Sequence, residues 1–293
     1  MKVLGLQNLS SKIFKKIADI DKEQSNYDEE EIDVRNNLAC LYRIIDYMGL
    51  SQSIFNHLTA RISKLKDEIL INPFGLLYHE ITSSSLIKVD IKGNILEKGS
   101  TNYGVNNAGY ILHSAIHENY HDIGCVIHLH VPDVVAVSSM ECGLLPLSQE
   151  AMIIGEVAYH NYEGIINNEN EKKKFVNDLG DKKVMLLRNH GFVCCGETIM
   201  EALFLTYHLV IACETQVKIL SMAKYENTKV IIPSLDAQQT TFKIASGGAG
   251  GVNFVGKHND KFEGKWKRGE LEWEGWIRIL DDMKLETGYK YKK

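Results

Sequence analysis

The stretch Cys125-Val126-Ile127-His128-Leu129-His130 constrains this chain more than any other. In a strand, alternate side chains project to the same face, so His128 and His130 stand side by side with the apolar Val126, Ile127 and Leu129 around them. Two imidazoles at a strand end form half of a metal chelate. A second apolar run, Lys183-Val184-Met185-Leu186-Leu187, ends in Arg188-Asn189-His190-Gly191 and can bring a third imidazole to the same sheet edge. Three histidines with an open fourth position are the catalytic, not the structural, ligand pattern of zinc and its neighbours. A His-x-His pair by itself is more often a hydrogen-bonded pair at a strand end, and it is the distant His190 that turns the reading toward metal.

With 293 residues, 44% of them hydrophobic and 24% charged, the chain has apolar material for one large core with terminal extensions. A net charge of −5 argues against a polyanion-binding surface, so nucleic acid is not an expected partner. No uninterrupted apolar run approaches the roughly 20 residues of a membrane span, and Met1–Asp21 lacks the pattern of a secretory leader, so the expected location is cytoplasmic. The six cysteines (Cys40, Cys125, Cys142, Cys194, Cys195, Cys213) mostly sit in apolar runs without a C-x-x-C pair, as buried reduced thiols do.

Along the chain, Glu29-Glu30-Glu31 opens a helix from about Glu30 to Tyr47, with Leu38, Leu41, Ile44 and Ile45 on its buried face and Gly49 ending it. Short strands follow at Ser53–Arg61, Glu68–Asn72, Leu86–Asp90 and Asn94–Lys98, separated by the turn residues Pro73, Gly75 and Lys92-Gly93-Asn94, in an antiparallel arrangement. A helix over Asn106–Tyr120 delivers the chain to the histidine strand. Pro132 then starts a short helix to Met140, as a residue with no amide hydrogen to lose in a first turn. Glu156–Tyr162 reads as a strand, Asn168–Leu179 as a polar surface helix, and Lys183–His190 as a strand continued by Phe192–Cys195. Ala202, Leu205, Leu209 and Ala212 give a long helix from Thr198 to about Met222. Beyond Tyr225 come the glycine-rich Ser246–Gly251 and a tail helix over Leu271–Met283 carrying Trp273, Trp276, Ile277 and Leu280. That helix packs either on its own domain or on a neighbouring subunit. The order of elements implies helices covering a central sheet, with a main domain at 29–224, an N-terminal extension at 1–28 and a C-terminal extension at 225–293.

Several ordered stretches resemble the class II aldolase/adducin family, and its adducin-like branch in particular. They are Phe55-Asn56-His57-Leu58-Thr59-Ala60-Arg61, Ile71-Asn72-Pro73-Phe74-Gly75-Leu76, Asn107-Ala108-Gly109-Tyr110-Ile111-Leu112-His113, His128-Leu129-His130, Pro146-Leu147-Ser148-Gln149-Glu150 and Leu187-Arg188-Asn189-His190-Gly191. The resemblance implies a three-layer α/β/α sandwich with a mostly antiparallel central sheet, assembled as a homotetramer with sites between subunits. It also implies a divalent metal, usually zinc, on His128, His130 and His190, acting as a Lewis acid in lyase or epimerase chemistry. Asn56, Gly75 and Asn107 fall at positions that line the substrate in the family. The adducin branch implies a different role, an assembly module associated with actin. The neck and lysine-rich tail of adducins have no counterpart before Tyr291-Lys292-Lys293, which argues against direct filament contact.

Departures from the aldolase pattern narrow the chemistry. Where aldolases of the family carry Ser-Ser-Glu, this chain has Asn107-Ala108-Gly109, and its Phe74-Gly75 stands for their Thr-Gly. The phosphate hydroxyls and the usual carboxylate are therefore missing, and the expected substrate is a small hydroxy-carbonyl compound without a phosphate handle. Glu150 falls where epimerase-like relatives place an acid/base residue, which makes it the candidate proton carrier, with a capping or surface role as the competing reading. His113 and His117, four apart on one helix face, also have a chelate-compatible spacing, against which a core or capping role is the expected one. Tyr207 and Glu214 fit a site wall, helix packing or intersubunit contacts equally well, and Arg188 and Asn189 fit a role orienting His190 or the interface. Gly251-x-x-x-x-Gly256-Lys257 mimics a phosphate loop but is followed by His258 and lacks the flanking strand and helix.

Overall fold

The computed structural model describes residues 16–161, 169–246 and 266–292. In chain order they form α1 (Glu29–Tyr47), β1 (His57–Ser63), β2 (Lys66–Ile71), β3 (Ile87–Asp90), β4 (Ile95–Glu97), α2 (Asn107–Asn119), β5 (Cys125–Leu129), α3 (Pro132–Ser138), α4 (Gln149–Ile154), β6 (Ala158–His160), α5 (Glu169–Leu179), β7 (Val184–Leu187), β8 (Gly191–Gly196), α6 (Ile199–Tyr225), α7 (Leu235–Ala245) and α8 (Glu270–Asp282). The glycine-rich stretch and the phosphate-loop mimic lie outside the described residues, apart from Ser246.

Local chemistry sets the first helix. Asp28 accepts from the Glu31 amide at 2.8 Å, and Glu29, Glu30 and Glu31 sit at the positive end of the helix dipole. At the other end Gly49 takes φ +71°, Leu50 N–H reaches Ile45 O at 3.0 Å and Gly49 N–H reaches Asp46 O at 2.9 Å. This left-handed glycine closes the last carbonyls of α1 and turns the chain toward β1.

All eight strands lie in one sheet in the order β4-β3-β2-β1-β5-β8-β7-β6, with β6·β7 the one parallel pair. Alternation divides each strand between two helical layers. Leu58, Ala60, Ile127, Leu129, Leu186, Phe192 and Cys194 join the large cluster under α1 and α6, whereas Val126, Met185, Val193 and Cys195 join Leu112, Ile116, Phe175 and Leu179 of α2 and α5. The expected α/β/α sandwich is thus present, and α2 covers the face onto which His128 projects.

Two features differ from the sequence reading, and a third settles an alternative it left open. The segment 183–195 is not one continued strand but a hairpin, Leu187 opposite Gly191, because Asn189 takes φ +58° and reverses the chain. Residues 149–154 form α4, started by the Ser148 hydroxyl accepting from Ala151 N. The tail helix packs on its own subunit: Trp273, Ile277 and Leu280 are buried with α1 and α6, and Ile17 N–H bonds Leu285 O at 2.8 Å. The 27-residue α6 is long and apolar enough by composition to cross a membrane, with a mean hydropathy of 1.3 over its most apolar window. Half of that window is buried in the fold, against β8, α3 and α4.

Candidate metal centre

The three histidines reach one point from two connections at the same sheet edge. His128 is the fourth residue of β5, His130 follows the strand's last residue, and His190 ends the turn between β7 and β8. Their ring centroids lie 4.7 Å (His128–His130), 5.1 Å (His128–His190) and 4.5 Å (His130–His190) apart. The available ligand nitrogens all fall within 4.8 Å of one another. Gly191 makes this approach feasible: a Cβ there would stand 2.4 Å from Leu129 O and 2.8 Å from His130 Cδ2. Arg188 anchors the same turn by donating to Ser138 O at 3.1 Å and Met140 O at 2.5 Å while its guanidinium lies 4.4 Å over the Tyr159 ring. It therefore holds the turn that carries His190, one of the two roles its place in the sequence allowed.

The hydrogen bonds determine which nitrogens face inward. His128 Nδ1 donates to Phe192 O at 2.9 Å, and His130 Nδ1 donates to Gln52 Oε1 at 3.0 Å. With the proton held on Nδ1, each ring presents an Nε2 lone pair, and these two nitrogens face each other at 3.0 Å. Two acceptors at that distance repel unless a cation or proton lies between them. Tetrahedral zinc with bonds near 2.0–2.1 Å places its nitrogen ligands about 3.3 Å apart. The donor set therefore fits a borderline divalent ion, with backbone and amide oxygens orienting the rings. Burial, then the neighbouring imidazoles His130 and His190, holds His128 well below its ordinary pKa; burial lowers His130; burial and then His130 bring His190 down to about 4. All three rings are uncharged at neutral pH, the form a metal ligand must have.

More histidines line the floor beneath α2. Thr59 Oγ1 bonds His113 Nδ1 at 2.8 Å and His117 Nε2 at 2.9 Å, so this helical pair is core, as expected. His57 had been given no role. It pairs with His128 across β1 and β5, on the same face, and both its ring nitrogens are buried without a partner. Burial lowers its pKa to about 4, with a smaller contribution from His130. No local sequence signal marks it, because the close approach of Gly109, where a Cβ would meet His57 Cε1 at 2.2 Å, exists only in the folded chain.

The other candidates stand on other elements, and their contacts are with those elements. Asn56 is fully buried with both amide atoms unpartnered. Gly75 sits in a turn at φ +128° against Tyr103, and Asn107 is the exposed first residue of α2. Glu150 occupies the first turn of α4, which packs on α6 and α7. Tyr207 packs against Trp276 of α8, 6.2 Å between centroids, and Glu214 pairs with Lys218 at 2.7 Å.

An α/β/α sandwich with this strand order and a histidine triad at one sheet edge defines an aldolase-like class of fold. The profile described as Class II Aldolase and Adducin N-terminal domain matches residues 36–217. The chain belongs to that family. It is 45% identical over 267 residues to alpha-adducin of Rattus norvegicus, covering 91% of this chain and 35% of that protein. It thus spans about a third of the length of the adducins it matches. Among solved structures, an aldolase II superfamily protein from Pseudomonas syringae superposes with TM-score 0.76 at 35% identity, covering 89% of this chain and 97% of that one. An L-fuculose 1-phosphate aldolase from Glaciozyma antarctica superposes with TM-score 0.71 at 25% identity, covering 91% and 96%.

Proposed function

We propose that this chain is a divalent-metal-binding, class II aldolase-like protein, with zinc on His128, His130 and His190, that takes a small hydroxy-carbonyl compound lacking a phosphate. The observation that carries the metal assignment is the pair of Nε2 atoms facing each other at 3.0 Å while both Nδ1 atoms are engaged elsewhere. A bound divalent ion there would supply Lewis acidity toward a carbonyl or hydroxyl oxygen. The residues around it would do the rest. The buried, unpartnered amide of Asn56 offers a donor and an acceptor to a polar group of the substrate, and Asn107 and Gly75 would border it. Gly109 provides no proton carrier, so lyase or epimerase turnover would depend on Glu150, and its place in α4 makes this assignment the first to test. Metal analysis of the purified native protein and of His190→Ala checks the reading. One equivalent of zinc, manganese or iron in the former and a large loss in the latter supports it, whereas a native protein that neither carries nor takes up metal refutes it.

A second reading has its own observation, the 45% identity to alpha-adducin over 91% of the chain. Under it the domain is a non-catalytic homotetrameric assembly module associated with actin. Cosedimentation decides this: dose-dependent pelleting with filaments supports the module, and none refutes direct association.

A further inference from the structure

Among the described residues, His57 is the one buried histidine whose two ring nitrogens both lack a partner. A neutral imidazole carries one donor and one acceptor, and leaving both unpaired in the interior costs free energy on the scale of a lost hydrogen bond for each. Such a residue is retained where something absent from the structure completes it. Its neighbours narrow what that is. His113 stands 6.2 Å away between centroids, but its Nδ1 is already held by Thr59. His128 lies directly across the strand pair on the same face, where opposite side chains are neighbours. On the α2 side the ring rests on Gly109, and any side chain at that position would force the ring or the helix to shift: the Cβ would come within 2.2 Å of Cε1 and 2.5 Å of Nδ1. The glycine therefore makes room for a ring that makes no hydrogen bond of its own.

We infer that His57 is a ligand-contacting residue of the metal centre, bonding through its free imidazole nitrogen to an oxygen of a small hydroxy acid or hydroxy-carbonyl compound held beside His128. This rests on the metal reading above and adds the group that would recognise the ligand's oxygen. Because His57 sits on β1 and the three proposed metal ligands sit on β5 and the β7–β8 turn, recognition and metal holding are separable by substitution.

The test uses Co2+-loaded full-length protein titrated with glycolate, read by the visible absorption of the cobalt, in the unsubstituted protein, His57→Leu, His57→Gln and Gly109→Ala. All four are expected to hold one cobalt per chain. Glycolate affinity is expected to fall about tenfold or more in His57→Leu, the fold-change of one lost hydrogen bond to a charged group. The fall in His57→Gln should be smaller, because the amide keeps a donor. Gly109→Ala, which displaces the ring without removing it, is expected to weaken glycolate as well and carries the test if His57→Leu does not fold. Failure of the unsubstituted protein to take up cobalt overturns the metal reading and this inference with it. Cobalt retained with unchanged glycolate affinity in the His57 and Gly109 variants overturns this inference alone. Loss of cobalt from a folded His57→Leu also overturns it, by assigning the ring to the metal.

Discussion

Replacing glycine by alanine at two helical positions isolates the contact between α2 and His57. In a helix interior the exchange gains about 1 kcal/mol from propensity alone, and less within the first turn, where Gly109 lies. At Gly275 in α8 the new methyl meets nothing nearer than Arg278 Nη2 at 3.7 Å, the movable end of a long side chain. At Gly109 it stands 2.2 Å from Cε1 of a ring that is only 3% exposed, so the ring, the helix or both must shift. Overpacking of this kind costs about 1–3 kcal/mol. Gly275→Ala is therefore expected to stabilise by about 1 kcal/mol and Gly109→Ala to lie between neutral and about 2 kcal/mol destabilised, a difference of about 1–3 kcal/mol. Each kcal/mol moves the melting temperature by about 2–4 °C in a domain approaching this size, so calorimetry or thermal circular dichroism resolves the pair. Adding His57→Ala to Gly109→Ala should recover part of the loss, giving a coupling energy of at least about 0.5 kcal/mol in a double-mutant cycle. If Gly109→Ala raises the melting temperature as much as Gly275→Ala does, the close packing of His57 on Gly109 is wrong.

Buried neutral histidines make stability fall in mild acid. The unfolded state binds protons near pH 6.5 while burial holds His117 down to about 3, so stability is full above the unfolded value and is lost as pH falls toward the folded one; His117 alone accounts for about 2 kcal/mol between pH 6.5 and 5. Urea midpoints across that interval check this, and His117→Gln should flatten the dependence. Cys142 is the exposed thiol while the other five are buried, so native protein should react with one equivalent of a thiol reagent and denatured protein with six. Gly191→Ala, which drives a Cβ against Leu129 O and the His130 ring, should lower metal affinity about tenfold or more with the ligands themselves intact, measured by competition with a chromogenic chelator.

How far the sequence revealed this molecule can be traced residue by residue. The helix opened by Glu29-Glu30-Glu31, the proline start of α3 and the strand bearing His128 were legible because their signals are local: acidic residues in a first turn, a missing amide hydrogen, an apolar run. The β7–β8 hairpin was not, because Arg188-Asn189-His190 contains neither glycine nor proline and the reversal depends on an asparagine in a left-handed conformation. Short α4 is held by contacts with α6 and α7 more than by its own six residues. At the site, the triad could be proposed from spacing because the three residues carry a recognisable ligand chemistry. His57 could not, because its meaning comes from pairing with His128 across β1 and β5 and from Gly109 on a helix some fifty residues later.

The arrangement also separates metal holding from catalysis. The proposed ligands belong to the sheet, on β5 and the β7–β8 turn, oriented by Phe192 O and Gln52 Oε1. The position at which a carboxylate is missing belongs to α2. A glycine at 109 therefore leaves the ligand set intact, and an ion at the triad would join β5 to the hairpin whether or not a substrate is ever turned over. Binding to the folded state alone stabilises by about 4 kcal/mol at 1,000 times the dissociation constant. Chelation is accordingly expected to lower the melting temperature of the native protein by several degrees and restored zinc to reverse it, while His190→Ala should respond to neither. A native protein whose melting is indifferent to both treatments would show that the three rings are held by packing alone, and would remove the metal from the enzymatic and the assembly readings alike.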